Sequence, residues 1–432
     1  MENSTDPPLL TAPPKSALAF QCATAFLCVL FIGFLYYRLT DIGFRQDLNI
    51  PAYRFRGFDF RAYYTFATDL LNGRSPYMHD TAAGPNPYPP LYSVLLLPFA
   101  MMDVELSYIV WTILSVAAFV SVLILGLKFG RTPAAPWLTL AVAATVLSQT
   151  YPVAFVWERG TPEFFILLFM VAGLYLLLRR RHSLAIVLLT VAVHIKLYPL
   201  ILGAFVLLRA GWRWAMGFGV LVGTLFFVLG VKELKNFWTV IQYTVRVPER
   251  WIWEGNHSLR SFSSWAVSNE LMDENAAGTF TLVAQIALVI VFCYLFYEAY
   301  KRRLAGAAFS VLEVGLLGMS FTLMDLLPTF SHDYKLSQQF FPLLVLMVTP
   351  GAAALAERSR PARNLFIILS GMVGAVYFPR ILGIPKTPLL VAIFGLYTAV
   401  AEIALKSKGH TNLATPSPSA VTEETIASER PS

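Results

Sequence analysis

The feature that most constrains this chain is a succession of long apolar runs separated by short, positively charged segments. Each run approaches the roughly 20 residues that a helix needs to cross a bilayer. With 56% hydrophobic and 14% charged residues, the 432-residue chain has too little polar surface to cover a soluble globule. The sequence therefore predicts an all-α, polytopic transmembrane helical bundle of about 11–13 membrane helices. The runs lie at about residues 17–37, 106–127, 137–156, 163–178, 184–208, 214–231, 279–300, 309–328, 336–350, 364–379 and 388–405.

Clusters of Lys and Arg predict how this bundle is oriented. The positive-inside rule places such clusters in the cytoplasm, and both chain termini then lie inside as well. Since these topogenic clusters account for much of the net charge of +7, a nucleic-acid partner is not expected. The clusters are Lys128 and Arg131, Arg179 to Arg181, Arg209 and Arg213, Lys301 to Arg303, Arg358 to Arg363, and Lys406 and Lys408.

The same topology divides the chain into three parts. Residues 1–16 form a cytoplasmic N-terminal segment, and residues 17–405 form the membrane domain, with long outer loops at 38–90 and 232–278. Residues 406–432 form a cytoplasmic tail predicted to be disordered, because it is rich in Ser, Thr, Pro and Glu without an apolar period. The first apolar run is too long for a signal-peptide core and is interpreted as a retained helix.

Two apolar stretches depart from simple crossings. Residues 91–102 are too few to span a bilayer and predict a re-entrant or interfacial segment. The run 184–208 is interrupted by His194, Lys196 and Pro199, which predicts two half-helices that meet near the outer face. A lysine at that depth is costly unless it faces a cavity or an anion, so Lys196 is a candidate site residue. The alternative is that Lys196 extends to the interface without a ligand.

Asp59 lies among aromatic residues in the first outer loop. A partly desolvated carboxylate has a raised proton affinity, which suits a general base acting on a sugar hydroxyl. A structural alternative is that Asp59 caps a helix beginning at Arg61. The aromatic run from Phe55 to Tyr64 could stack on sugar rings or anchor the loop at the interface.

Several spaced blocks together resemble glycosyltransferase family 87, over roughly residues 55–350. The resemblance implies a membrane enzyme of the GT-C fold, similar to bacterial α-mannosyltransferases that use polyprenyl-phosphate-mannose. The blocks are Asp59 to Tyr77 with Tyr88-Pro89-Pro90, Lys196 to Pro199 before Arg209 to Arg213, Gly255 to Leu259, and Ser331-His332.

The resemblance also implies roles for individual residues. Asp59 would act as the base on the acceptor hydroxyl. A fixed cation stabilises a phosphate leaving group directly, so no metal or cofactor is expected. The residues expected to bind the donor phosphate are Lys196, His332 and Arg61, and those expected to contact substrate are Tyr63, Tyr64, Tyr88, Glu163, Asn256 and Ser258.

One block departs from the family pattern, and others have structural alternatives. Where the family usually shows Gly-Gln-x-Asn, this chain reads Gly160-Thr161-Pro162-Glu163. Glu158 with Arg159 could form an ion pair that closes a loop, and His332-Asp333 with Lys335 could be a solvated turn. Asn256-His257-Ser258 also matches the glycosylation sequon.

These observations favour a hexosyltransferase that moves mannose from a polyprenyl-phosphate donor to a lipid or glycan acceptor. The active site is expected on the periplasmic side of the inner plasma membrane, surrounded by membrane lipids. The alternative is a polytopic transporter or a lipid-linked sugar flippase. Transporters concentrate polar groups at the bilayer midplane, whereas here they concentrate in two long outer loops, which favours the enzyme.

Overall fold

A computed structural model describes residues 17–40, 57–78, 81, 84–129, 147, 150–246, 255–302, 309–378 and 385–407. The predicted N-terminal segment, most of the predicted tail and much of the predicted run 137–156 lie outside these ranges. Within them the chain is helical, with isolated backbone bridges and no strand. The prediction of an all-α polytopic membrane protein is confirmed.

The first half of the chain contains nine helices in the described ranges, two of them very short. They are Ala17–Thr40 (α1), Phe58–Leu71 (α2), Pro90–Leu95 (α3), Leu97–Ala100 (α4), Val104–Leu127 (α5), Tyr151–Arg159 (α6), Glu163–Leu178 (α7), His182–Ile195 (α8) and, after a 3-10 turn at Tyr198–Leu202, Gly203–Ala210 (α9).

The second half contributes nine more helices among the residues described. They are Trp212–Leu225 (α10), Gly230–Arg246 (α11), Leu259–Ser268 (α12), Glu274–Lys301 (α13), Val311–Leu326 (α14) and, after a 3-10 turn at Asp333–Gln338, Phe340–Val348 (α15), Pro350–Arg358 (α16), Arg360–Val376 (α17) and Thr387–Lys406 (α18).

Three described helices, α5, α13 and α18, are each long and apolar enough to cross a membrane. Three further spans are possible if each strongly bent pair counts as one crossing. These pairs are α6 with α7, bent by 111°, α10 with α11, bent by 94°, and the segment Asp333–Val348 with α16, bent by 68°. The described helices thus offer three to six candidate spans by length and composition, and the larger predicted number of crossings stays a prediction.

Both irregular stretches are broken in the structure. Residues 91–102 fold into α3 and α4, of six and four residues, which are too short to cross a bilayer. The run 184–208 breaks where predicted, because α8 ends at Ile195 and Lys196 is extended, with φ −148° and ψ 147°. Pro199 then starts a 3-10 turn that leads into α9. The Lys196 amide is the last donor of α8, to the Ala192 carbonyl at 3.1 Å, and the chain leaves the helix at this residue.

Helix α14 is the centre of the bundle, with every residue from Val311 to Leu326 buried. It packs closely on α18, where a Cβ on Gly318 would lie 2.2 Å from the Tyr397 ring. Small residues allow membrane helices to approach at this distance. The helix begins with a capping box between Ser310 and Glu313, and the Glu313 carboxylate also binds Arg209 at the end of α9. The opposite end of α14 leads to the cavity described next.

Candidate active site

A cavity of about 1020 Å³ opens between α2, the break after α8, α11 and the loop that follows α14. Its lining combines a carboxylate, several cations and many aromatic and proline side chains. The lining residues are Phe58, Asp59, Ala62, Tyr63, Phe66, Thr81, Gly84, Pro85, Pro87, Tyr88, Pro89, Arg159, Lys196, Leu197, Tyr198, Ile241, Thr244, Val245, Pro328, Thr329, Phe330, His332, Tyr334 and Lys335.

Asp59 presents its carboxylate to this cavity in a bidentate pair with Arg159. Arg159 Nη2 donates to Oδ1 at 2.6 Å and Nε donates to Oδ2 at 3.1 Å. The guanidinium carbon lies 4.7 Å from the centre of the Phe58 ring. Asp59 is not the cap of α2, since Gly57 occupies that position and no side chain caps the helix. The two-point pair instead fixes the plane of the carboxylate.

Two glycines allow α2 and α6 to meet at this pair. Gly57 has φ 67° and Gly160 has φ 69°, conformations that favour glycine. A Cβ on Gly160 would lie 2.7 Å from Phe60 Cβ, and one on Gly57 would lie 2.9 Å from the Tyr108 ring. The Gly57 amide donates to the Glu158 carbonyl at 2.7 Å. The start of α2 is thereby held against the end of α6, which brings Asp59 to Arg159.

Lys196 lines the cavity and forms an ion pair with a buried carboxylate. Its ammonium donates to Glu163, which is fully buried at the start of α7. The other Glu163 oxygen accepts from Tyr198 at 2.5 Å and from Gln338 at 2.6 Å. Since buried charges need partners, Glu163 compensates Lys196 and orients it. Glu163, which lies in the block that departs from the family pattern, is therefore the counter-ion of Lys196, the residue predicted to bind the donor phosphate.

The segment from Ser331 to Asp333 is held by an extensive buried network. Asn256 accepts from the Ser331 amide at 2.8 Å and donates to the Thr329 carbonyl at 3.0 Å. The Asp333 carboxylate lies 2.6 Å from His257 Nε2 and accepts from the Tyr151 hydroxyl at 3.2 Å. Because Asn256 is fully buried and hydrogen-bonded, it is not an accessible glycosylation acceptor. The predicted alternative of a solvated turn at His332-Asp333 is also wrong, since Asp333 is buried.

Burial sets the protonation of the imidazole and phenol groups in the cavity. The pKa of His332 lies well below its usual value, first because the ring is desolvated and then because Lys196, Lys335 and Arg159 are nearby. Burial also raises the pKa of the Tyr63 and Tyr88 hydroxyls, whose oxygens are 2.8 Å apart. At neutral pH His332 is uncharged and both tyrosines can donate hydrogen bonds.

Comparison with known proteins assigns the chain to a family. Residues 86–324, more than half of the chain, match the model of glycosyltransferase family 87. The chain belongs to glycosyltransferase family 87. No match was found among curated proteins or among solved structures. The protein is therefore a membrane glycosyltransferase, and the transporter alternative gives way to this assignment.

The structure gathers half of the predicted site residues of this family 87 protein in one cavity. Asp59 and His332 lie outside the matched residues 86–324, yet both line the cavity together with Lys196. Tyr63 and Tyr88 line it as well. A carboxylate and a lysine separated widely in sequence are thus exposed to the same space.

The other predicted residues lie outside the cavity lining. Arg61 is half-exposed and contacts Glu105 at 2.5 Å, and the Tyr64 hydroxyl donates to the Met102 carbonyl at 2.8 Å. Glu163 accepts a hydrogen bond from the Lys196 ammonium. Asn256 and Ser258 hold the loop at Thr329 rather than facing the cavity, with Ser258 Oγ donating to the Thr329 carbonyl at 3.0 Å.

Several cavity residues of this glycosyltransferase were not selected from the sequence. The sequence offers Glu158 as one possible partner of Arg159, whereas the structure pairs Arg159 with Asp59. Tyr198, Tyr334 and Lys335 also line the cavity. The sequence did point to these three residues, because Tyr198 lies in the block Lys196 to Pro199 and Tyr334-Lys335 directly follow His332-Asp333.

Proposed function

We propose that this glycosyltransferase moves a hexose, with mannose as the proposed sugar, from a polyprenyl phosphate to a lipid or glycan acceptor. Asp59 is the general base and Lys196 binds the donor phosphate, without a metal ion or a cofactor. The observation that carries the proposal is the exposure of Asp59 and Lys196 to one cavity. A carboxylate and a cation that line one cavity are what base-assisted displacement of a phosphate requires.

The reaction is a single displacement at the anomeric carbon. Asp59 takes the proton from the acceptor hydroxyl as the acceptor oxygen forms its bond to that carbon. The bond from the anomeric carbon to the phosphate oxygen breaks, and its electron pair leaves with the polyprenyl phosphate. The configuration of the sugar is inverted. Arg159 is a positioning residue, because it holds both oxygens of the carboxylate.

The remaining cavity wall is suited to a sugar attached to a lipid. Tyr63 and Tyr88 provide hydroxyls and ring faces, which serve sugar recognition. Phe66, Ile241 and Val245 provide an apolar wall for isoprenoid carbons. The donor then enters from the surrounding membrane lipids. The Lys and Arg clusters support placing the cavity on the periplasmic side of the inner membrane.

The test is a transfer assay with purified protein in lipid nanodiscs. Polyprenyl-phosphate mannose labelled in the sugar is incubated with an extract of membrane lipids, and products are separated by chromatography. We expect label in a new lipid or glycan product. In a parallel assay with proteoliposomes, label that crosses the vesicle membrane without a new product would support a flippase. A nucleotide sugar as the sole active donor would contradict the proposal.

A further inference from the structure

Two cavity segments, Lys196-Leu197-Tyr198 and Tyr334-Lys335, are arranged so that each lysine lies against the tyrosine of the other. Lys196 Nζ is 4.5 Å from the centre of the Tyr334 ring, and Lys335 Nζ is 4.5 Å from the centre of the Tyr198 ring. All four residues line the cavity. Aromatic faces attract an ammonium group but do not neutralise it. Two cations are therefore held side by side at the same wall.

The two lysines differ in their partners. Lys196 forms an ion pair with Glu163. Lys335 donates to the carbonyl oxygens of Met324 and Phe330, each at 3.3 Å, and has no ion-pair partner in the part of the chain that the structure describes. Asp325 and, to a smaller extent, Glu163 stabilise its charge electrostatically without forming an ion pair with it.

The carboxylate of Asp325 is itself occupied by other groups. It accepts from Ser331 at 3.0 Å and from Gln339 at 2.6 Å. The hydrogen bonds of Lys335 thus go to neutral carbonyl groups alone. A buried ammonium of this kind is suited to an anionic ligand that enters the cavity.

The proposed reaction produces such an anion at its leaving group. A polyprenyl-phosphate sugar is a phosphodiester with one negative charge, and the released polyprenyl phosphate is a monoester that carries a second. The charge lost by Asp59 on protonation reappears on that phosphate. An interaction that strengthens as this charge develops accelerates the chemical step rather than substrate binding alone.

We propose that Lys335 is the second cation of the phosphate site and acts on the charge that develops on the leaving polyprenyl phosphate. Lys196, already paired with Glu163, secures the donor in its ground state. This inference rests on the proposed function. It adds a catalytic residue that lies outside the residues matched by the family model.

Two neutral variants and one cationic variant test the proposal. Lys335→Gln keeps a donor for the Met324 and Phe330 carbonyls, Lys335→Met keeps the unbranched apolar part of the side chain, and Lys335→Arg keeps the charge. We expect kcat of the neutral variants to fall about 10²-fold while KM for the donor changes far less. Lys335→Arg should retain more activity than either. Melting temperatures identify a variant with a folding defect, and the other neutral variant then carries the comparison.

A binding measurement separates this inference from the proposed function. Polyprenyl phosphate without a sugar is titrated against each variant, and we expect the neutral variants to bind it about tenfold or more weakly than the wild type. Wild-type protein that transfers no sugar from any polyprenyl phosphate would refute the proposed function. Neutral variants with wild-type kcat, or with wild-type affinity for polyprenyl phosphate, would overturn the role of Lys335.

Discussion

Asp59 and Arg159, 100 positions apart in sequence, share two hydrogen bonds at the wall of the cavity, of 2.6 and 3.1 Å. Asp59 is the second residue of α2 and Arg159 is the last residue of α6. The plane of the proposed base is therefore set by the end of another helix. Its catalytic geometry depends on the junction between α2 and α6 as well as on the carboxylate itself.

Replacement of Asp59 by asparagine should abolish most turnover. Asp59→Asn keeps the shape of the side chain but removes the proton acceptor, so kcat should fall by a factor of about 10² to 10⁴ with donor binding largely retained. Steady-state kinetics with labelled donor measure both. The matched control is Asp69→Asn, which alters a buried aspartate of the same helix that pairs with Arg74 away from the cavity lining. Equal loss in both variants would contradict a specific role of Asp59.

Arg159→Lys should impair the chemical step through the position of Asp59. Lysine keeps the positive charge but offers one ammonium in place of the two-point guanidinium contact. We expect kcat to fall about tenfold, a loss near 1.4 kcal/mol, with little change in KM for the donor. Arg74→Lys, which alters an exposed arginine paired with Asp69 away from the cavity lining, is the control. A variant with raised KM and unchanged kcat would instead assign Arg159 to donor binding.

Variants of the Lys196–Glu163 ion pair should distinguish its contribution to the stability of the fold from its contribution to donor binding. Lys196→Met leaves Glu163 buried without its cation, which destabilises the fold by about 3–5 kcal/mol. The double variant Lys196→Met with Glu163→Gln removes both charges and should recover much of the melting temperature. Donor binding should remain weak in both variants, because the phosphate has lost its cation. Recovery of wild-type KM in the double variant would show that Lys196 does not bind the donor.

His332 should act as a neutral hydrogen-bonding group. Its pKa in the folded protein is below the usual 6.5, so the unfolded chain binds more protons as the pH falls past that value. The free energy of unfolding should therefore decrease from about pH 6.5 downward, until the folded-state pKa is reached. Melting curves between pH 5 and 8 should show a smaller decrease in melting temperature toward low pH for His332→Gln than for the wild type. Activity that rises with protonation near pH 6.5 and disappears in His332→Gln would contradict this.

The orientation of the bundle can be tested by labelling single cysteines. Ser268→Cys and Arg181→Cys each place a thiol at an exposed position, in a background without Cys22, Cys28 and Cys293. The positive-inside rule predicts that an impermeant maleimide added to intact spheroplasts modifies position 268 and spares position 181. Modification of position 181 alone would invert the map.

The helical architecture follows largely from the sequence, because length and apolarity decide whether a segment can cross a membrane. The break at Lys196 was also predictable, since Lys196 and Pro199 interrupt an otherwise apolar run. The strong bend of 111° between α6 and α7 was not predicted. Gly160, with φ 69°, ends α6, and its close approach to Phe60 is a contact between residues 100 positions apart that no local pattern reveals.

The site was predictable where a residue type conflicts with its surroundings. Asp59 among aromatics and Lys196 within an apolar run both line the cavity. Partners of these residues were harder to find, since Glu163 and Arg159 each have nearer residues of opposite charge in sequence. Ion pairing in a buried site is decided by tertiary packing, and the pair Asp59–Arg159 forms only when α2 meets α6.

The buried ion pair of Arg209 with Glu313 affects the distance between Lys196 and Lys335, the two cations of the proposed phosphate site. It joins the end of α9 to the start of α14, whereas Lys196 precedes α9 and Lys335 follows α14. The pair thereby sets the axial register of two antiparallel segments that carry the two halves of the proposed phosphate site. A slip by one helical turn would displace one half by about 5.4 Å, beyond hydrogen-bonding reach of a shared phosphate. Arg209 and Glu313, which lie outside the cavity lining, thus fix the spacing of the two lysines proposed to bind the phosphate.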